Sequence, residues 1–182
     1  MTKSRILLIT ALIVTVASCG AYIYYTEYKM DLDARCEAGD PEAMFQQGAS
    51  LCARCEFKAG SEWLLKAADA GYSEAQLRVG YMYAFGRGVT KDDKEALRWL
   101  LMSAEQGEVS AQVSVGAFYL TGRGVEQDVT KAVEWYEKAA AQSSKPALNK
   151  LIQIYSSGKN VDLEKAKRCK LTFEEIVKKQ NK

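Results

Sequence analysis

The chain repeats itself every 36 residues, and few folds satisfy that constraint. Tyr83 and Tyr119, Gly86 and Gly122, and Trp99 and Trp135 each stand 36 apart. The agreement extends around these pairs. Ala75 to Gly80 returns as Ala111 to Gly116, Gly86-Arg87-Gly88-Val89 as Gly122-Arg123-Gly124-Val125, and Ala96 to Trp99 as Ala132 to Trp135. The same step backward from Trp99 reaches Trp63, and forward it reaches Tyr155, Gly158 and Val161. A segment recurring at this period is a supersecondary unit that stacks on copies of itself to bury its apolar face.

Each unit reads as two helices. The first runs through Ala-x-x-x-x-Gly-x-x-Tyr, as in Ala75, Gly80 and Tyr83. The small residues admit a neighbouring helix, and the tyrosine fills the space beside them. Gly86 and Gly88 then stop the helix, because glycine reaches positive φ without steric cost. Val89 is placed to plug the turn. Asp92 and Asp128 are N-cap residues for the second helix, which carries Ala96, Trp99, Leu100 and Ala104 at helical spacing. Gly71 and Gly107 close the unit. With only two prolines in 182 residues, nothing else interrupts helix.

The outer units depart from this pattern. Ala43 and Gly48 align with Ala75 and Gly80 at an offset of 32, whereas Trp63 aligns with Trp99 at 36. Four residues are therefore missing from the first unit's inner turn, around Cys52-Ala53-Arg54-Cys55. In the last unit Asn149 replaces Leu77 and Val113, Ile152 replaces the glycine, and Cys169 falls near the tryptophan position. Terminal repeats of a solenoid are often atypical because they cap the stack.

Together, Ala-x-x-x-x-Gly-x-x-Tyr, Gly-x-Gly-Val, the aspartate, Lys-Ala-x-x-Trp and a closing Ala-Ala-x-x-Gly resemble Sel-one-like repeats, relatives of the tetratricopeptide repeats. The resemblance is full over 71–143 and partial over the rest of 39–180. It implies an all-α, right-handed α-solenoid of about four helix-turn-helix repeats whose first helices line a concave face. It also implies a non-catalytic protein-binding role: an adaptor or assembly factor of a bacterial envelope, or an immunity protein against a secreted effector.

Residues 1–25 are expected to anchor the chain. Lys3 and Arg5 precede Ile6 to Tyr25, twenty residues without a charge, enough to cross a bilayer's hydrocarbon core. Acidic Glu27, Asp31 and Asp33 follow, so the positive-inside rule places the bulk of the chain in the periplasm. Val16-Ala17-Ser18-Cys19 also resembles a bacterial lipobox, with Cys19 as the lipidation candidate. The apolar stretch after Cys19 departs from the polar tether usual there, and both the lipoprotein signal and the transmembrane anchor remain open. Residues 26–38 are read as a linker or first capping helix.

Composition narrows the chemistry. The chain has no histidine, which removes the commonest general base near neutral pH and every Ser-His or Cys-His nucleophile within it. A net charge of +2 supplies no concentrated basic face for nucleic acid. The Gly-Arg-Gly turns lack the Gly-Lys-Ser/Thr of a phosphate loop, and no metal or cofactor is expected. Five cysteines include Cys19 and the disulfide candidates Cys36, Cys52 and Cys55, at least one bond among the last three being expected in an oxidising compartment. The alternative function is a Cys-x-x-C thiol-disulfide oxidoreductase on a helical scaffold. On the concave face, first-helix positions not spent on the repeat motif are candidate partner contacts: Arg78, Tyr81, Met82, Ser114 and Phe118. Tyr81 and Phe118 are expected to stand exposed as aromatic anchors.

Overall fold

A computed structural model of the chain describes residues 29–156 and 162–180. The anchor segment and Cys19 lie outside the described residues. The first described helix, α1, covers 29–37. It is followed by α2 (Pro41–Ala53), α3 (Phe57–Asp69), α4 (Ser73–Phe85), α5 (Asp93–Glu105), α6 (Val109–Thr121), α7 (Val129–Ala141), α8 (Lys145–Ser156) and α9 (Leu163–Gln180). No strand occurs among the described residues, and none of their helices is long and apolar enough to cross a membrane. Each helix packs chiefly on its neighbours in sequence, which is the pattern of an α-solenoid.

Asp92 caps α5 by accepting from the Lys94 and Glu95 amides, and Asp128 caps α7 by accepting from that of Lys131. Asp40 does the same for α2. Gly86 and Gly122 end α4 and α6 in the left-handed conformation. After each, the chain returns so that the Asp92 and Asp128 amides donate to the Tyr83 and Tyr119 carbonyls.

Within a repeat the two helices touch where the first carries glycine. A Cβ on Gly80 would stand 2.7 Å from Leu100 Cγ, and one on Gly116 would stand 2.9 Å from the Tyr136 ring. Leu100 and Tyr136 are fully buried. The tryptophan slot beside them is less uniform. Trp99 is buried, whereas Trp63 and Trp135 are half-buried under Lys66 and Lys138, whose ammonium groups lie 4.4 and 3.8 Å from the ring centroids.

Glutamines join the middle repeats. Gln76 Nε2 donates to the Ala68 carbonyl, and Gln106 Nε2 donates to Gln76 Oε1 at 2.8 Å and to the Gly71 carbonyl. One period on, Gln112 donates to the Ala104 carbonyl, and Gln142 donates to Gln112 Oε1 at 3.0 Å and to the Gly107 carbonyl. Gln76 and Gln112 are buried. Each rung adds a side-chain donor to carbonyls at a helix C-terminus and the turn after it, beyond those the local backbone supplies.

The second glycine of each turn docks on the preceding repeat. A Cβ at Gly88 would come within 2.3 Å of the Phe57 carbonyl, and one at Gly124 equally close to the Asp93 carbonyl. Both sit at positive φ, 76° and 66°. Two equivalent junctions result, with the α4–α5 turn on the start of α3 and the α6–α7 turn on the start of α5.

Candidate functional site

The two junctions share a backbone and differ in side chains. At the second, Arg123 is spent internally. Its guanidinium donates to both Asp93 carboxylate oxygens and to the Ala84 carbonyl at 3.3 Å, and it lies 4.5 Å from the Phe118 ring centroid. That bond to Arg123 holds the Asp93 carboxyl below its ordinary pKa.

At the first junction the residue equivalent to Asp93 is Phe57, and Arg87 is equivalent to Arg123. Arg87 is exposed and forms no ion pair among the described residues; its one ring contact is with Phe85, at 5.9 Å. The short inner turn of the first repeat leaves a groove of about 760 Å³ between α2, the start of α3, α4 and Arg87. Its apolar lining includes Phe57, Leu64, Tyr81, Met82 and Phe85. Phe85 is 64% exposed and Phe57 37%, the most open aromatic side chains, as a fraction of their own surface, among the described residues. Arg78 and Arg87 supply the lining's charge, which includes no carboxylate.

Three of the partner-contact residues read from the sequence meet here. Arg78 is exposed and pairs weakly with Glu74 at 3.8 Å on its own helix. Tyr81 is half-buried, its hydroxyl 2.8 Å from Ser114 Oγ, and Ser114 donates to the Ser110 carbonyl. This chain of hydrogen bonds fixes the Tyr81 ring as part of the groove wall. Met82 is only 7% exposed and forms the floor. Ser114 is thus tied to Tyr81 rather than lining the groove. Phe118 corrects the expectation of an exposed anchor: it is 5% exposed, because Arg123 covers it and the core between α4 and α7 surrounds it.

Phe57, Phe85 and Arg87 were not singled out by the sequence reading, yet a signal for them existed. One period on, Asp93 and Thr121 stand where Phe57 and Phe85 stand. An aromatic that breaks the period at a polar repeat position is a surface feature of that repeat alone.

The structure keeps the four described cysteines as free thiols. Cys36 is buried with Leu32 and Ala43 beneath Trp63, in the small-residue slot shared with Ala68 and Ala104. Cys52 turns instead toward Gly60 on α3, and Cys55 is exposed at φ 65°. Burial pushes the Cys36 and Cys52 thiols up. Cys52 lies in the last turn of α2, at the negative end of the helix dipole, where a thiolate is disfavoured. These are the reverse of the conditions that activate a redox cysteine. Among the described residues no group of three or more His, Cys, Asp or Glu side chains is placed to hold a metal.

Residues 58–72, 73–108 and 109–144 match the Sel1 repeat. Residues 58–144 are Sel1 repeats of an α-solenoid. A solved Sel1 repeat protein from Oxalobacter formigenes is 29% identical over 79% of this chain, with a TM-score of 0.69. A protective antigen of uropathogenic Escherichia coli, displaying an SLR fold, is 26% identical over 80% of the chain, with a TM-score of 0.52. An immunity protein from Pseudomonas aeruginosa shares the fold at 17% identity over 80% of the chain, with a TM-score of 0.58. The chain spans 62%, 40% and 58% of these three proteins respectively. No curated protein matches it. The Sel1 repeat is generally a non-catalytic scaffold, and the groove is the part of this copy that the repeat itself does not fill.

Proposed function

We propose that this Sel1-repeat chain is a non-catalytic binding module that holds one protein partner on the face built from α2, α4 and α6, tethered by residues 1–25 to a bacterial envelope membrane and facing the periplasm. The observation that carries the reading is the groove, with Phe57 and Phe85 open to solvent beside a wall that Tyr81 and Ser114 hold rigid. Aromatic and arginine side chains in a preformed, partly desolvated recess are what dominate protein interfaces. Burying the exposed parts of two phenylalanines against a partner stabilises a complex by a few kcal/mol at about 25 cal/mol per Å², before the cost of association.

A role as an immunity protein, as in the Pseudomonas aeruginosa relative, is one form such binding takes; an envelope adaptor is the other. A photo-crosslinking amino acid at Tyr81 or Phe85, in the full-length chain in its native host, tests the reading against the same probe at exposed Glu134 on α7. One protein adduct at 81 and 85 that is missing at 134 is the expected result. A secreted toxic enzyme in that adduct assigns the immunity role, and an envelope protein assigns the adaptor role. Adducts that do not depend on position, or none at 81 and 85, contradict the reading.

A further inference from the structure

The repeat provides its own template for what the groove lacks. Arg123 shows how an arginine at this turn position is satisfied: two carboxylate contacts from Asp93, a backbone carbonyl and an aromatic face. Asp93 lies 30 residues before Arg123, and Phe57 lies 30 before Arg87. The substitution of Phe for Asp at that position does two things. It takes the carboxylate away from Arg87, and it adds an exposed ring to the mouth of the groove.

We infer that the groove takes a segment of the partner protein in which an apolar side chain, seated between Phe57, Tyr81, Met82 and Phe85, is accompanied by an aspartate or glutamate whose carboxylate pairs with Arg87. The inference rests on the protein-binding reading above and adds the chemistry of the bound segment. Charge complementarity carries it. The lining holds two arginines and no carboxylate, and Arg78 has only a distant, exposed partner in Glu74. A guanidinium at the rim of an apolar recess is weakly screened once a ligand excludes water, and it prefers bidentate carboxylate over a point contact. A basic or purely apolar segment leaves Arg87 unpaired under the complex, which is costly.

The test uses a random-peptide phage library panned on the full-length protein in detergent micelles. It is repeated on Arg87→Glu, on Phe57→Asp, which restores the missing carboxylate within the chain, and on Tyr81→Ala, with circular dichroism checking that each variant is folded. The expected result is selection of peptides that place an aromatic or aliphatic residue near Asp or Glu. Their affinity should fall about tenfold or more on both Arg87→Glu and Phe57→Asp, as loss of a charge-assisted hydrogen bond gives. Peptides that bind without acidic preference and lose affinity on Tyr81→Ala but not on Arg87→Glu overturn this inference while leaving the protein-binding reading intact. Failure to select any peptide also overturns the inference, and the crosslinking at Tyr81 and Phe85 then decides the broader reading separately.

Discussion

The two repeat junctions carry the same Gly-Arg-Gly-Val turn, and they use its arginine in opposite ways. At the second, Arg123 ties the α6–α7 turn to Asp93 and to the end of α4. At the first, Arg87 stands at the edge of a groove with no acidic partner among the described residues. A repeat motif therefore does not assign a role to its residues. The role is set by one position 30 residues upstream, and by the four residues missing from the first repeat's inner turn. Stability and recognition are divided between equivalent sites of one solenoid.

The part common to both junctions breaks most severely. Gly88→Ala and Gly124→Ala each force a side chain into positive φ and against a backbone carbonyl of the previous repeat. Each is expected to cost about 2–4 kcal/mol by urea unfolding. A tolerated Gly88→Ala beside a damaging Gly124→Ala would show that the first turn does not dock as the second does.

Next in size is the glutamine ladder, which crosses both middle interfaces. Gln112→Ala strips Gln142 Nε2 of its 3.0 Å partner and removes the side-chain bond to the Ala104 carbonyl, which keeps the Gly107 amide as a donor. The expected loss is about 0.5–1.5 kcal/mol, with Gln76→Ala close to it. A loss below about 0.5 kcal/mol in either variant would mean that the rungs are not structural.

A smaller effect separates the junctions by pH. Asp93 has a folded-state pKa below its ordinary value of 3.8 because Arg123 bonds the ionised form. The stabilisation is thus present above the unfolded carboxylate value and is lost as pH falls through the folded one. Asp93→Asn is expected to cost about 1 kcal/mol or less at neutral pH, since the pair is partly exposed. The gap from wild type should close below pH 3.8. A gap that persists at lower pH would assign the loss to something other than the ion pair.

Much of this architecture is legible in the sequence, because the period reports the parts that recur. The helix-stopping glycines, the Asp92 and Asp128 caps, and the small residues at Ala75 and Gly80 follow from spacing and turn chemistry. Periodicity cannot say which of two adjacent residues points inward. Trp135 recurs with Trp99, but the side chain packed on Gly116 is its neighbour Tyr136. Nor does it show coverage: Phe118 looks like an aromatic available on a first helix until Arg123 is seen lying over it. The groove arises where the period fails, at Phe57, Phe85 and the shortened turn. A reading that follows the consensus passes over it, and one that follows the departures finds it.

The most direct measurement of the division between junctions is urea unfolding of Arg87→Ala and Arg123→Ala side by side with wild type. Arg123→Ala removes carboxylate, carbonyl and ring contacts together and is expected to cost about 1–2 kcal/mol. Arg87→Ala is expected to stay within about 0.5 kcal/mol of wild type. Equal losses at the two positions would mean that Arg87 is a structural residue like its counterpart, and the account of a junction left open for a partner would fail.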